Sequence, residues 1–377
     1  MKKTENPRMA VVRAFPRVSE FLFYTNFEKF KNILIGNSAS VYETFKNYRG
    51  VDSKLLRLRA SRFIDPIKFL TGKSTHRSWS YFCGLEDAVK NADVINISDL
   101  FYFYCRQCAQ LSKKIDKPLV SVIWETMPNH PARYLMPYSA NIRKSVQACS
   151  LYILRSERSL AFTDSLKIPR SKVSMIYKGV DTNLFRPAKG TGDNKVRILY
   201  VGQFVESKGV DDLLSVFCRL YKKYKNIELV MAGSGELELK INGLAQNHPI
   251  NNLGYIDYFS LPDVYGNADI FCMPSRDLRY FGFKFGEERF SYTLMEAMSS
   301  GIPIVSTKCG GIEEEVGEEN FLANQGDSDQ IYKYLEELIL HEEVRAQIGK
   351  KNRKRAMNFF DAGKQARKTE AEILKII

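Results

Sequence analysis

Two carboxylates stand eight residues apart in ERFSYTLME, from Glu288 to Glu296, and the stretch runs on as AMSSGIPIVSTKCGG. Acid/base work by a carboxyl pair needs both groups aimed at one reacting atom. This spacing does not offer that, because Glu288 precedes a helix expected to begin near Ser291 and Glu296 lies a turn inside it. Between them, Ser291, Tyr292 and Thr293 would present backbone N–H groups in a first helical turn, where such groups lack intrahelical partners and favour an anion. On composition alone the acids read as a loop carboxylate and a helix-surface carboxylate. Read together with the helix start, they bracket an anion and accept hydrogen bonds from hydroxyls on either side of it.

A second anion feature lies upstream in VGQFVESKGVDDLL. A strand ends at Gly202, and Lys208-Gly209 opens a helix, so a point charge meets a helix N-terminus. The order of residues is not that of a Walker A loop. Taken with the two acids, the layout suits hydroxyls, a diphosphate and further hydroxyls in succession, as in a nucleotide sugar. Other motifs carry less. AGSGE (232–236) lacks the third glycine of a dinucleotide fingerprint and reads as a tight strand-to-helix turn. GDSDQ (326–330) reads as a helix N-cap rather than a metal signature. Cys105 and Cys108 have no second pair downstream, and FYFYCRQCAQL reads as a buried helix.

These groups must be positioned by strands and helices that alternate. VRILYVG (196–202), IELVMAG (227–233), NNLGYI, ADIFCMP and PIVSTK (303–308) are apolar runs separated by helical stretches, such as the one carrying Val210, Leu213, Leu214, Phe217, Leu220 and Tyr221. Such runs mean a parallel sheet covered on both faces, with ligands outside the carboxyl ends of its strands. MAVVRAF, KNILIGN, ADVINIS, KPLVSVIW, LYILRS and KVSMIYKG give the first half a similar pattern. FRPAKGTGDNK (185–195) reads as the linker. The 377 residues suit two domains, and 44% hydrophobic with 26% charged residues is ordinary for a soluble globular chain. No apolar run reaches the length of a membrane span and the start lacks the apolar core of a signal peptide, so a cytoplasmic location is expected. Residues 1–190 carry 32 Lys and Arg against 15 Asp and Glu, whereas residues 191–377 carry 24 against 28. The basic half favours an anionic partner, for which a membrane surface is preferred over nucleic acid.

From about Lys172 to its end the chain resembles the retaining glycosyltransferases of family 4 (glycosyl transferases group 1), which have the GT-B fold. The likeness runs through VSMIYKGVDTNLFRP, ILYVGQFVESKGVDDLL, LVMAGSGE, LGYIDYFSLPDVYGNADIFCMPS and ERFSYTLMEAMSSGIPIVSTKCGGIEEEV. The family's E-x7-E motif falls on Glu288 and Glu296. By that resemblance Glu288 faces donor-sugar hydroxyls, Glu296 holds the ribose, and Lys208 binds phosphate. The backbone of Phe290, Ser291, Tyr292 and Thr293 meets the diphosphate and sugar, Gly202 and Gln203 line the phosphate side, and Tyr255 and Ile256 meet the base. The chain departs from the pattern at Gln203, where the family carries Arg, at Ser291, where Gly is common, and in the insertion RDLRYFGFKFGE. The first half resembles the family weakly. Glu125, His130 and Asp99 are its candidates for the acceptor or sugar side.

The resulting expectation is an α/β protein of two Rossmann-like doubly wound domains with an interdomain cleft. Residues 1–188 would bind acceptor, 189–360 would bind nucleotide sugar, and a helix in 361–377 would pack back on the first domain. A UDP-, GDP- or ADP-sugar would donate its sugar, with retention, to a glycan or lipid-linked acceptor at the cytoplasmic membrane face. Neither cofactor nor metal is implied. The alternatives are a nucleotide-sugar epimerase of related fold and a non-enzymatic binder of polyanions or lipid.

Overall fold

Among the described residues, strands rich in Val, Ile and Leu alternate with amphipathic helices. The computed structural model describes residues 6–60, 80–188, 192–280 and 282–377. The chain forms two units, Met1–Gly179 with Ala362–Ile377, and Val180–Asp361.

The first unit holds β1 (Arg8–Val12), β2 (Lys31–Gly36), β3 (Val51–Leu55), β4 (Leu58–Ala60), β5 (Ser80–Phe82), β6 (Val94–Ser98), β7 (Leu119–Ile123), β8 (Cys149–Leu154) and β9 (Val173–Met175). Among the described residues its main sheet has the order β3-β2-β1-β6-β7-β8-β9 with parallel ladders, and β4 and β5 pair antiparallel. Both faces are buried. Along β1, Ala10 and Val12 join one apolar cluster while Met9 and Val11 join the other, which is the period-two alternation of a covered strand. The helix Ala362–Ile373 places Ala362, Ala366 and Ile373 in the second cluster, and Glu370 accepts from the Lys29 amide at 2.6 Å.

The second unit holds β10 (Val196–Val201), β11 (Ile227–Ala232), β12 (Ile250–Gly254), β13 (Ile270–Met273), β14 (Leu278–Tyr280), β15 (Phe283–Gly286), β16 (Ile304–Thr307) and β17 (Phe321–Ala323). Its parallel sheet runs β12-β11-β10-β13-β16-β17. The strand order reverses direction at β10, so a crevice opens at the carboxyl ends of β10 and β13. The insertion forms an antiparallel hairpin, β14–β15, whose residue 281 lies outside the described residues.

The expected boundary near residue 188 is corrected to Gly179/Val180. Burial and hydrogen bonds bind residues 180–185 to the second unit. The Val180 amide donates to Phe360 O at 2.8 Å, Arg353 donates to Thr182 O and Phe185 O, and buried Phe185 meets Tyr265 edge-on. The linker read at 185–195 therefore begins inside that core, and its residues 189–191 lie outside the described residues. Among the described residues no helix is long and apolar enough to cross a membrane.

Candidate functional site

The site is assembled from three loops at the carboxyl edge of the second sheet. After β10 the chain passes Gly202 and Gln203 and makes a short turn, Glu206–Lys208, that carries the lysine. Gly209 ends this turn at φ 68°, and a Cβ there would stand 1.9 Å from Pro274 O. Only glycine lets the turn lie against the end of β13. The Arg276 amide donates to Ser207 O at 2.9 Å, and its guanidinium grips both carboxylate oxygens of Asp212. The loop bearing Glu288 is pressed from the other side by CGG at 309–311. Gly311 N–H donates to Glu288 O at 2.7 Å, and a Cβ on Gly310, at φ 56°, would stand 1.8 Å from that oxygen. So held, Lys208 Nζ and Glu288 Oε2 form an ion pair, and Ser275 Oγ donates to the same oxygen at 3.3 Å. The lysine and glutamate side chains are 26% and 10% exposed, so both still reach solvent.

The helix Tyr292–Ser299 starts where the sequence placed it, with Ser291 as N-cap. Ser291 has φ −98°, an extended conformation that does not require glycine. Its Oγ lies 2.8 Å from Thr293 Oγ1 and does not cap a backbone amide. One expectation is corrected: the Ser291 N–H is not open to a ligand, because it donates to the buried carboxylate of Glu315 at 2.8 Å. Phe290 turns its ring inward against Phe360. Glu296 is 2% exposed, and Tyr265 O–H donates to its Oε2 at 2.9 Å. Burial holds the Tyr265 phenol well above its ordinary pKa, so it stays a donor. The two acids are thus unlike: one is at the surface beside a cation, the other anchors the helix from within.

Gly202 lies under the turn after β11, where a Cβ on Gly233 would stand 1.8 Å from Gly202 O. The Gln203 side chain is exposed, while its carbonyl accepts from Tyr200 O–H at 2.6 Å. Tyr255 and Ile256 follow β12, with Tyr255 exposed and Ile256 half-buried. Asp327 caps the helix Ser328–Leu340 by accepting from the Gln330 amide at 2.9 Å.

In the first unit Asp99, Glu125 and His130 come together after β6 and β7. Asp99 adopts φ 56°, and its Oδ1 accepts from the Trp124 amide at 2.9 Å and the Glu125 amide at 3.2 Å. Glu125 Oε1 accepts from the amides of Thr126 and Met127, and its Oε2 lies 3.8 Å from His130 Nε2. His130 stacks on Phe101 at 5.6 Å. Asp99 and Glu125, expected on the acceptor or sugar side, are both buried: Asp99 brackets the end of the neighbouring strand and Glu125 closes its own turn. Arg13, which follows β1, is also buried, with donor bonds to Glu20, Val12 O, Asn96 and Tyr24. Cys105 and Cys108 are buried thiols in the helix Phe103–Lys114, raised in pKa by burial.

Gly310, Gly311, Ser275, Tyr265, Cys309 and Glu315 were missed as site residues. The paired glycines after a strand were a legible signal, because glycine marks a close backbone approach. Nothing in the local sequence points from Tyr265 to Glu296, 31 residues on.

Residues 181–355 match the family model described as glycosyl transferases group 1. An uncharacterised glycosyltransferase of Methanocaldococcus jannaschii is 26% identical over 206 residues, covering 50% of this chain and 48% of that protein. The capsular polysaccharide biosynthesis glycosyltransferase CapM of Staphylococcus aureus is 32% identical over 178 residues, covering 45% of this chain and 43% of that protein. The chain therefore aligns with about half the length of these curated relatives. Among solved structures, Anabaena HepE in complex with UDP and glucose superposes with a TM-score of 0.75 at 16% identity, covering 98% of this chain and 100% of that one. That likeness shows the fold: α/β, GT-B, with Rossmann-like units.

Proposed function

We propose, from the match of residues 181–355 to the glycosyl transferases group 1 model, that the protein is a retaining glycosyltransferase using a nucleotide-sugar donor. The observation that carries this reading is the Lys208–Glu288 ion pair at the carboxyl edge of β10 and β13. A cation there meets the donor's phosphates, and the carboxylate released from it accepts from sugar hydroxyls. Negative charge grows on the diphosphate as the glycosidic bond breaks, and Lys208 with the remaining first-turn amides of the helix Tyr292–Ser299 stabilises it. The leaving phosphate takes the acceptor proton on the face it departs from, so retention needs no enzyme nucleophile. Glu296, aimed by Tyr265, is the ribose partner. HepE, solved with UDP and glucose, makes a UDP-sugar the first donor to try.

The acceptor in this reading is a glycan or lipid-linked glycan, met at an anionic membrane surface by the basic first half. Its 32 cations against 15 acids support that assignment. Sedimentation with anionic and neutral vesicles tests it, and salt-insensitive, equal partition onto both would overturn it. For the donor, thermal unfolding is followed with UDP-, GDP- and ADP-sugars. At least one should raise Tm in the wild-type protein and fail to do so in Glu288→Gln. Equal shifts in both proteins, or none in either, would count against the site.

A further inference from the structure

We propose that Lys284, on the β14–β15 hairpin, is a positioning residue for Glu288; the proposal rests on the donor-site reading above. The hairpin's root holds two carboxylates close together, Asp277 and Glu287, with side chains 8% and 2% exposed. Lys284 Nζ lies 3.1 Å from Asp277 Oδ1 and also pairs with Glu287 Oε2. Burial works against the lysine's charge, but hydrogen bonds to Glu287 and Asp277 raise its pKa on balance. Arg279 reaches Asp277 from the solvent side at 3.3 Å.

Two routes run from this cation to Glu288. One is covalent, since Glu287 is its neighbour in the chain. The other passes through Cys309, whose Sγ lies 3.6 Å from Asp277 Oδ1 and accepts from the Glu288 amide at 3.5 Å. Burial pushes the Cys309 thiol up to about 12, so it keeps the proton it donates to Asp277. Removing the lysine's charge takes away the cation that the two nearly buried carboxylates share, an arrangement that relaxes by hydrating one of them. Outward movement of Glu287 draws on the backbone it shares with Glu288, pulling Glu288 from Lys208 and loosening the cover over Cys309.

The test uses wild type, Lys284→Met, Lys284→Arg and the double variant Lys284→Met with Glu287→Gln. UDP release from UDP-glucose without added acceptor gives kcat and KM, and iodoacetamide labelling of Cys309, read by mass spectrometry, reports the network without any donor. Lys284→Met should lose up to about 100-fold in kcat, the scale of a small misplacement. Its KM should stay within about twofold, and Cys309 should label faster. Lys284→Arg should restore both readouts. The double variant, which removes the charge of one carboxylate together with the cation, should recover most of the kcat. A parallel rise in KM, unchanged turnover in Lys284→Met, or no recovery in Lys284→Arg and the double variant overturns the proposal. If wild type releases no UDP but labelling follows the expected order, UDP-glucose is not the donor and the network stands. Labelling that is equal across the four proteins removes the network whatever the turnover shows.

Discussion

The two units each gather charged side chains at the carboxyl ends of parallel strands, and they use them differently. In the first unit Glu125 accepts from the amides of the next two residues, and Asp99 accepts from amides at the end of the neighbouring strand. Those carboxylates are the internal capping groups of a turn, buried with it. In the second unit Lys208 and Glu288 come from positions 80 residues apart and meet through side chains that still reach solvent. Their loops are held by backbone-to-backbone contacts that only glycine permits. A strand-end acid still reaches solvent when distant parts of the chain hold it against a cation, and is a bracket when backbone amides consume its lone pairs.

The largest effect is expected from the contact that holds the second arrangement in place. A Cβ on Gly310 would collide with Glu288 O, whereas one on Gly50, in the first unit, meets nothing within 4 Å. Both positions have positive φ, so both alanine variants carry backbone strain of about 1 kcal/mol. Gly310→Ala adds overpacking of about 1–3 kcal/mol and displaces Glu288. UDP-glucose turnover should fall by about 100-fold or more, with a lower Tm, while Gly50→Ala should lower Tm slightly and leave turnover alone. Equal behaviour of the two variants would remove the distinction between the regions.

Next come the acids themselves. Glu288→Gln should lower turnover by about 100-fold or more with little change in Tm, because a partly exposed ion pair adds about 0–1 kcal/mol to stability. Glu125→Gln should behave in the opposite way. It exchanges a charge-assisted acceptor of two amides for a weaker one, costing about 1–3 kcal/mol, with donor hydrolysis retained. Urea unfolding alongside UDP release reads both, and a Glu125→Gln protein that is stable but inactive would return that residue to the site.

The same contrast explains what could be read from the sequence. The two doubly wound units were legible because apolar runs such as VRILYV and LVSVI admit little else than covered parallel strands. That Glu288 and Lys208 lie at the carboxyl edge of the second sheet was legible from their places beside a helix start and a strand-end glycine. The bracket at Asp99 and Glu125 was not, since a buried acid and a ligand-facing acid look alike in one dimension. Nor was the loss of the Ser291 amide to Glu315, because the partner lies 24 residues downstream on another helix. The boundary was misplaced because Pro, Gly and polar residues after 185 outweighed the one large side chain, Phe185, that the core takes up.

Cys309 offers a smaller effect with a definite sign. Its thiol rises from 9.0 in the unfolded chain to about 12 when folded. A folded pKa raised in this way contributes stability in full below pH 9 and loses it as pH climbs towards 12. Between those values Cys309→Ala should lose stability less steeply than wild type, by at most about 1.4 kcal/mol per pH unit. Parallel slopes in urea titrations would show that the thiol ionises as readily in the folded protein as in the unfolded one.

The smallest effect concerns the missing cation at Gln203. Its side chain projects into solvent, while the backbone there is fixed independently by Tyr200 O–H and the Val205 amide on Gln203 O. A longer side chain therefore needs no rearrangement of the turn. Gln203→Arg would place a second positive charge on the phosphate side of Lys208, in high dielectric, where a few ångströms of water weaken it strongly. The gain in UDP affinity should be about three- to tenfold at low salt and should shrink at physiological ionic strength, where charges are screened over about 8 Å. The contrasting site is Arg13, whose buried donors are held by Glu20, Tyr24, Asn96 and Val12 O, so a change there alters stability and not UDP binding. Titration calorimetry with UDP at two salt concentrations reads the difference. No gain at either salt would mean that the phosphates lie beyond the reach of residue 203, and that Lys208 with the helix amides is the whole of the anion site.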